Sequence, residues 1–178
     1  MKRLSLAILI MLTACTQKPE TVESESVPVE LTESVETVQD QVKALALANG
    51  FEATDQVADA IAKASKAYEI DAMQLTAIGI IESGLGKNPK AKMRKNDNGT
   101  HDRGVFQINT VNWPKCKEFQ LDTVEGNAFC AAKLLSQIKI NKPSDLGKYH
   151  SKTCRPDFCP KKTYFAKITK VLQVASDK

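Results

Sequence analysis

Several features are missing from the 178-residue sequence. No apolar run reaches the ~20 residues that a membrane-spanning helix needs. No block repeats, which argues against a repeat architecture. Metal-ligand patterns are also lacking. His150, Cys154 and Cys159 have no second ligand pair at zinc-finger spacing, and the polar loop Asn96–Asp102 lacks the glutamate that closes an EF-hand. We therefore expect neither a metal nor another cofactor.

The N-terminus reads as an export signal. Lys2 and Arg3 precede the short apolar run Leu4–Leu12, as in a signal peptide. The following Leu-Thr-Ala-Cys resembles the bacterial lipoprotein box, which implies cleavage before Cys15 and a lipid on its thiol. Thr16 is not the acidic residue that usually retains lipoproteins at the inner membrane. We expect a lipid-anchored envelope protein of the periplasm, held at the outer membrane.

Export makes disulfides the natural expectation for the remaining cysteines. Three pairings of four cysteines are possible, and we favour the two that close local connections. These two join Cys116 to Cys130 and Cys154 to Cys159.

Charge divides the chain into a tether and a basic domain. Residues 16–40 are rich in Glu, Ser, Thr and Val and read as an acidic, disordered tether. Residues 41–178 hold 22 basic and 14 acidic residues and should form the globular domain. A basic domain favours an anionic partner. Because we expect export, we favour peptidoglycan or acidic lipid over nucleic acid.

The domain is predicted to be mainly α, because apolar residues recur at helical spacing in five segments. A polar loop, Lys87–Arg103, with a turn at Asn98-Gly99, precedes the short apolar run Val105–Ile108. The helical segments run from Val35 to Asn49, from a cap at Thr54 to Tyr68, from Asp71 to Ser83, from caps at Asp122 and Glu125 to Ile138, and from about Lys162 to Leu172.

Glu82 is the candidate catalytic residue. It follows Ile78 by one turn at the end of a segment, Leu75–Ile81, that is almost wholly apolar. A carboxyl group there is partly desolvated, which raises its pKa and lets it hold a proton near neutral pH. Taken alone, Glu82 is equally compatible with a helix-end residue in solvent, so its neighbours decide.

Those neighbours resemble a known family. Ala77-Ile-Gly-Ile-Ile-Glu-Ser-Gly84 resembles the Glu-Ser signature of soluble lytic transglycosylases, relatives of goose-type lysozyme in glycoside hydrolase family 23. Gly104-Val-Phe-Gln-Ile-Asn109 is similar to the Gly-Leu-Met-Gln-Ile block of that family, in the form that the small enzymes of secretion, pilus and conjugation systems carry. Asn127–Leu135 resembles its third helix signature, and Tyr149 and Tyr164 its C-terminal tyrosines.

The resemblance implies a lysozyme-like helical bundle with a short β or loop region beside a saccharide cleft. Glu82 would act as general acid and base in cutting peptidoglycan, leaving a 1,6-anhydromuramic end. Ser83 would fix the helix end, and Tyr149 would orient Glu82 or the sugar. The substrate-binding residues implied are Gln107, Ile108, Asn109, Tyr149 and Tyr164.

Two departures and three alternatives accompany this resemblance. Met93 replaces a serine that contacts the N-acetyl sugar in many relatives, and His150 replaces an asparagine. If Asp102 were a second carboxylate that activates water, the enzyme would be a hydrolytic muramidase. A catalytically silent glycan-binding or scaffolding module is the alternative from another class. A nucleophilic triad of Ser83 with histidines is disfavoured, because no nucleophile elbow surrounds the serine.

Overall fold

The computed structural model describes residues 35–88, 92–139, 141–150 and 160–176. The predicted signal peptide, Cys15, most of the tether, Cys154 and Cys159 lie outside these residues. The helix α1 begins at Val35, inside the stretch assigned to the tether and at the point where helical valine spacing starts.

The fold is mainly α with a short β region, as predicted. Along the chain the elements are α1 (Val35–Ala48), α2 (Asp55–Tyr68), α3 (Ala72–Ser83), β1 (Met93–Lys95), β2 (His101–Arg103), β3 (Ile108–Asn109), a 3-10 helix (Thr110–Cys116), α4 (Val124–Ser136), a second 3-10 helix (Pro143–Tyr149) and α5 (Pro160–Ser176). No helix among the described residues has the length and apolar character to cross a membrane.

Helix α3 is the centre of the bundle. It packs against α1, α2 and α5, while α2 also packs against α4. Its residues from Leu75 to Ile80 are all buried, because a helix that is apolar on every side can be covered on every side. The predicted caps are present: the Asp71 carboxylate accepts the Met73 and Gln74 amides, and Gly84 ends α3 in the left-handed region at φ 60°. Glu82 therefore lies where the buried helix reaches the β region.

The β region is a three-stranded antiparallel sheet in the order β1-β2-β3. Met93 pairs with Arg103 and Lys95 with His101, around the predicted turn at Asn98-Gly99. The strands occupy part of the segment that we expected to be loop. Strands of two or three residues are too short to display the alternation by which a strand is recognised.

One further expectation needs correction. The N-cap of α4 is Thr123, whose hydroxyl accepts the Gly126 amide at 3.0 Å, rather than Asp122 or Glu125. The apolar run Val105–Ile108 is mostly a turn, and β3 begins only at Ile108. In this turn the side chain of Phe106 is fully buried.

The disulfide expected between Cys116 and Cys130 is present, with Cα atoms 5.5 Å apart. It joins the end of the first 3-10 helix to the middle of α4. Both cysteines are fully buried.

Candidate functional site

Glu82 lines a cavity of about 740 Å³ between the β region and the helices. Pockets that bind small ligands occupy ~300–1,000 Å³, so the cavity has room for a segment of a saccharide. The other lining residues are Arg94, Asn96, Asn98, Thr100, Asp102, Gln107, Ile108, Asn109, Val111, Asn112, Lys115, Leu134, Gln137, Ile138, Lys139, Lys148, Tyr149 and His150.

The carboxyl group of Glu82 is partly buried, and Tyr164 donates a hydrogen bond to its Oε1 at 2.7 Å. Burial raises the pKa of Glu82 from its ordinary value of 4.5 to about 7, and the negative charge of Asp102 acts in the same direction. The Tyr164 hydrogen bond and the cations Lys167 and Arg94 oppose this rise. Because the pKa lies near 7, both the protonated and the ionised forms are populated at neutral pH.

The hydroxyls of the two tyrosines have different partners. Tyr149, which we expected to orient Glu82 or the sugar, donates to the carbonyl oxygen of Phe106 at 3.2 Å, and Tyr164 is the tyrosine that donates to the Glu82 carboxyl. Tyr149 still lines the cavity, whereas Tyr164 is buried behind Glu82. Burial, followed by the charge of Glu82, raises the pKa of both phenols, which therefore stay protonated donors.

His150 completes this part of the site. Its ring stacks on Tyr164 with the ring centroids 4.9 Å apart and the planes 5° from parallel. Partial burial and the charge of Lys167 lower the pKa of His150, while Asp102 opposes them. The histidine thus favours its neutral form, and its ring covers one face of Tyr164, the tyrosine that donates to Glu82.

Gln107, Ile108 and Asn109 lie at the cavity as predicted, but much of their bonding is structural. The Gln107 amide donates to the Gly104 carbonyl at 2.8 Å, and Ile108 is almost fully buried. Asn109 caps the first 3-10 helix through the Val111 amide. Its own amide donates to Asp102 Oδ1 at 2.6 Å.

Asp102 is a second carboxylate on the same cavity. Two side-chain amides hold it, Asn109 at Oδ1 and Asn96 at Oδ2, the latter at 2.9 Å. The surrounding loop is thus a network of amides and hydroxyls that bond one another. Among the residues that the structure describes, no cluster of three or more His, Cys, Asp or Glu side chains is arranged to hold a metal ion.

Ser83 fixes the end of α3, as the resemblance implies. Its buried hydroxyl donates to the carbonyl oxygen of Val105 at 2.6 Å and accepts the Gly86 amide at 2.8 Å. Because the hydroxyl proton and one lone pair of Ser83 already form hydrogen bonds, this side chain fixes the local backbone and is not placed to act as a nucleophile.

Helix α4 positions the turn that carries Gln107. The fully buried Asn127 accepts the Phe106 amide at 2.8 Å and donates to the carbonyl oxygens of Arg103 and Leu121. A side chain at Gly104, where φ is +75°, would lie 2.4 Å from the Asn127 amide nitrogen. The sequence alone did not reveal this role of Asn127.

The far part of the cavity was not predicted either. Arg94 of β1, residues of the first 3-10 helix, the end of α4 and Lys148 all line it. Only the fold brings them together, because they come from segments that are distant in sequence. Met93, singled out beside them, is 51% exposed and does not line the cavity.

Comparison with known proteins gives no match: no family model, no curated protein and no solved structure matches this chain.

Proposed function

We propose that the protein is a peptidoglycan lytic transglycosylase in which Glu82 is the single general acid and base. One observation carries the proposal: the carboxyl of Glu82 is desolvated beside a saccharide-sized cavity, and its pKa of about 7 is suited to both donating and accepting a proton. The resemblance of residues 77–84 and 104–109 to the transglycosylase motifs supports the choice of substrate.

The first step of the proposed reaction is protonation of the glycosidic oxygen. Tyr164 occupies Oε1 of Glu82, which leaves Oε2 to carry the proton. As the bond between the muramic C1 and the leaving oxygen breaks, positive charge develops on the sugar ring. Glu82 then becomes a carboxylate, which the Tyr164 hydroxyl stabilises.

The second step closes the muramic ring on itself. The Glu82 carboxylate removes the proton from the C6 hydroxyl of the same muramic residue, and the C6 oxygen attacks C1. The products are a 1,6-anhydromuramic end and a strand with a free hydroxyl, with no water consumed. Glu82 regains its proton, so one carboxyl group serves both steps.

Hydrolysis is the second candidate, and Asp102 favours it. This carboxylate lines the same cavity and is held by two amides, as a base that positions water would be. A hydrolase would leave a reducing muramic end instead of the anhydro ring.

The test is mass spectrometry of digested peptidoglycan with wild type, Glu82→Gln and, as control, Glu52→Gln, which alters an exposed surface carboxyl. We expect anhydro products from wild type and Glu52→Gln, and a loss of at least about 100-fold in rate for Glu82→Gln. Reducing ends alone would favour the hydrolase. Full activity of Glu82→Gln would exclude the proposed role of Glu82, and a wild type that binds but never cuts would point to a silent glycan-binding module.

Three further proposals come from the sequence: a lipid anchor at Cys15, a periplasmic location at the outer membrane, and service to a secretion, pilus or conjugation apparatus. The N-terminal motif supports the anchor and the location, and the resemblance to the small specialised enzymes supports the apparatus.

A further inference from the structure

One part of the cavity lining combines cations with apolar side chains. We call it the lysine wall, and it consists of Val111, Lys115, Leu134, Ile138, Lys139 and Lys148. These residues come from the first 3-10 helix, the end of α4 with the residues after it, and the second 3-10 helix. These three elements lie side by side, because Lys133 of α4 donates to the carbonyl oxygen of Lys115 at 2.8 Å and Lys148 donates to the carbonyl oxygen of Lys139 at 3.4 Å.

Of the three lysines of this wall, only Lys148 has an acidic partner among the described residues. Lys148 pairs with Asp145 at 3.0 Å. Within the described part of the chain, Lys115 and Lys139 have no acidic partner within salt-bridge distance, and both are exposed. Across the whole lining, four cations face only two carboxyl groups, Glu82 and Asp102.

The sugar rings of the strand offer these lysines hydrogen-bond acceptors but no opposite charge. The hydroxyl and acetamido groups of sugar rings suit the other part of the lining, where Asn96, Asn98, Thr100 and Asn109 supply amides and a hydroxyl. Ammonium groups beside Val111, Leu134 and Ile138 instead suit a ligand with both carboxylates and methyl groups. The peptide that branches from muramic acid has this chemistry, because it carries both alanine methyl groups and free carboxylates.

We infer that the lysine wall binds the acidic stem peptide, so that the enzyme selects peptide-bearing strands over peptide-free glycan. The inference rests on the proposed function and adds to it the form of the substrate. It assigns Lys115 and Lys139 to the peptide carboxylates and the apolar residues between them to the alanine methyl groups.

The experiment compares two substrates of equal strand length, soluble peptidoglycan strands and the same strands stripped of peptide by an amidase. The stripped strands keep one lactyl carboxylate on each muramic residue, so the comparison tests the peptide's own carboxylates and methyl groups. For each protein the readout is the ratio of kcat/KM on peptide-bearing strands to kcat/KM on stripped strands. We expect a wild-type ratio of about 3 to 10, the gain from two partly exposed charge pairs. In Lys115→Gln/Lys139→Gln the ratio should fall towards 1, mainly through KM on the peptide-bearing strands.

Two control variants separate charge position from total charge. Lys66→Gln/Lys170→Gln removes two exposed lysines outside this cavity and should keep the wild-type ratio. Lys115→Arg/Lys139→Arg keeps both charges in place and should retain most of the ratio. Added salt should lower the wild-type ratio, because it screens exposed charges.

The possible failures are distinguishable. If wild type cuts both substrates at equal kcat/KM, or if the Gln variant keeps the wild-type ratio, the peptide inference is wrong while the proposed function stands. If Lys66→Gln/Lys170→Gln lowers the ratio as much as Lys115→Gln/Lys139→Gln does, the preference comes from the total charge of the protein and not from the lysine wall. If wild type cuts neither substrate, the proposed function fails, and this inference fails with it.

Discussion

The hydrogen bond from Tyr164 to Glu82 sets both the position and the acidity of the carboxyl group. Because the hydroxyl donates to Oε1, it stabilises the ionised form and holds the pKa below the value that burial alone would give. Replacing Tyr164 by Phe keeps the ring that stacks on His150 and removes only this donor.

For Tyr164→Phe we therefore predict a rise of the Glu82 pKa above 7. The rate falls with pH when the general acid ionises, so the alkaline limb of kcat/KM should move to higher pH. The loss of orientation should also lower kcat by about 10-fold, the typical effect of removing a hydrogen bond to a charged group. A pH profile of wall lysis measures both effects. Tyr149→Phe is the control, because the hydroxyl that it removes donates to the Phe106 carbonyl and not to Glu82. If the alkaline limb of kcat/KM stayed in place in Tyr164→Phe, the prediction would be contradicted.

Asp102 acts on the same carboxyl group in the opposite sense. Its negative charge raises the pKa of Glu82, so Asp102→Asn should lower that pKa below 7 and move the alkaline limb of kcat/KM to lower pH. Asn96 and Asn109 donate to different oxygens of Asp102, so the single side-chain oxygen of asparagine can keep one of these two hydrogen bonds. The matched control is Asp97→Asn, an exposed carboxyl in the same β hairpin that does not line the cavity.

The size of the Asp102→Asn effect also separates the two candidate reactions. A residue that only tunes Glu82 should leave most of the rate at low pH, with anhydro products unchanged. A loss of about 100-fold or more at every pH, together with reducing ends in wild type, would instead identify Asp102 as the base of a hydrolase.

At this scale the sequence pointed to residues that line the cavity but not to all of their contacts. Glu82 could be chosen as a candidate because the apolar helix segment before it and the motif that surrounds it agree, whereas the apolar segment alone would not have been enough. The choice between Tyr149 and Tyr164 could not be made, since the two lie 15 positions apart and only tertiary packing determines which hydroxyl reaches the carboxyl.

At the scale of elements, the contact between α4 and the turn from Gly104 to Gln107 determines the shape of the cavity. Asn127 satisfies one amide and two carbonyl groups of the segments that precede its helix. No local sequence pattern marks a residue with this role, because its partners are backbone groups, which every residue type supplies. The helices themselves were predictable, since their apolar spacing is a local property.

We predict that Asn127→Ala lowers the free energy of unfolding by about 3 kcal/mol, because buried backbone groups lose their partners. Urea unfolding followed by circular dichroism measures the change. The exposed Asn141→Ala should alter the free energy of unfolding by less than about 0.5 kcal/mol. If Asn127→Ala were as stable as wild type, other groups would satisfy these backbone amides and carbonyls. The structural role proposed for Asn127 would then be wrong.

At the scale of the whole molecule, the bundle places the last turn of the buried helix α3, with Glu82, at a cavity that several other segments also line. The sequence could predict the bundle from its local apolar pattern, and it could single out Glu82 from that pattern together with the neighbouring motifs. It could not predict the lysine wall, whose residues share no motif and meet only after the 3-10 helices and α4 have packed. Among the described residues, the Cys116–Cys130 disulfide is a tertiary link that could be predicted, from cysteine number and spacing.

Desolvation of Glu82 should also appear in the stability of the whole protein. The folded pKa of about 7 lies above the ordinary value of 4.5, so the folded state binds the proton more tightly than the unfolded state between these values. The stabilisation from the neutral carboxyl is therefore complete below pH 4.5 and is lost as the pH rises through 7. Since each pKa unit corresponds to about 1.4 kcal/mol, the loss amounts to roughly 3–4 kcal/mol.

Glu82→Gln cannot ionise and should escape this loss. We predict that its free energy of unfolding, relative to wild type, rises by roughly 3–4 kcal/mol between pH 4 and pH 9, which urea titrations at the two pH values measure. Glu52→Gln, at an exposed position, should show a much smaller difference. If the two variants behaved alike, Glu82 would be as hydrated as a surface carboxyl, and a solvated carboxyl would not hold a proton at neutral pH for the glycosidic oxygen.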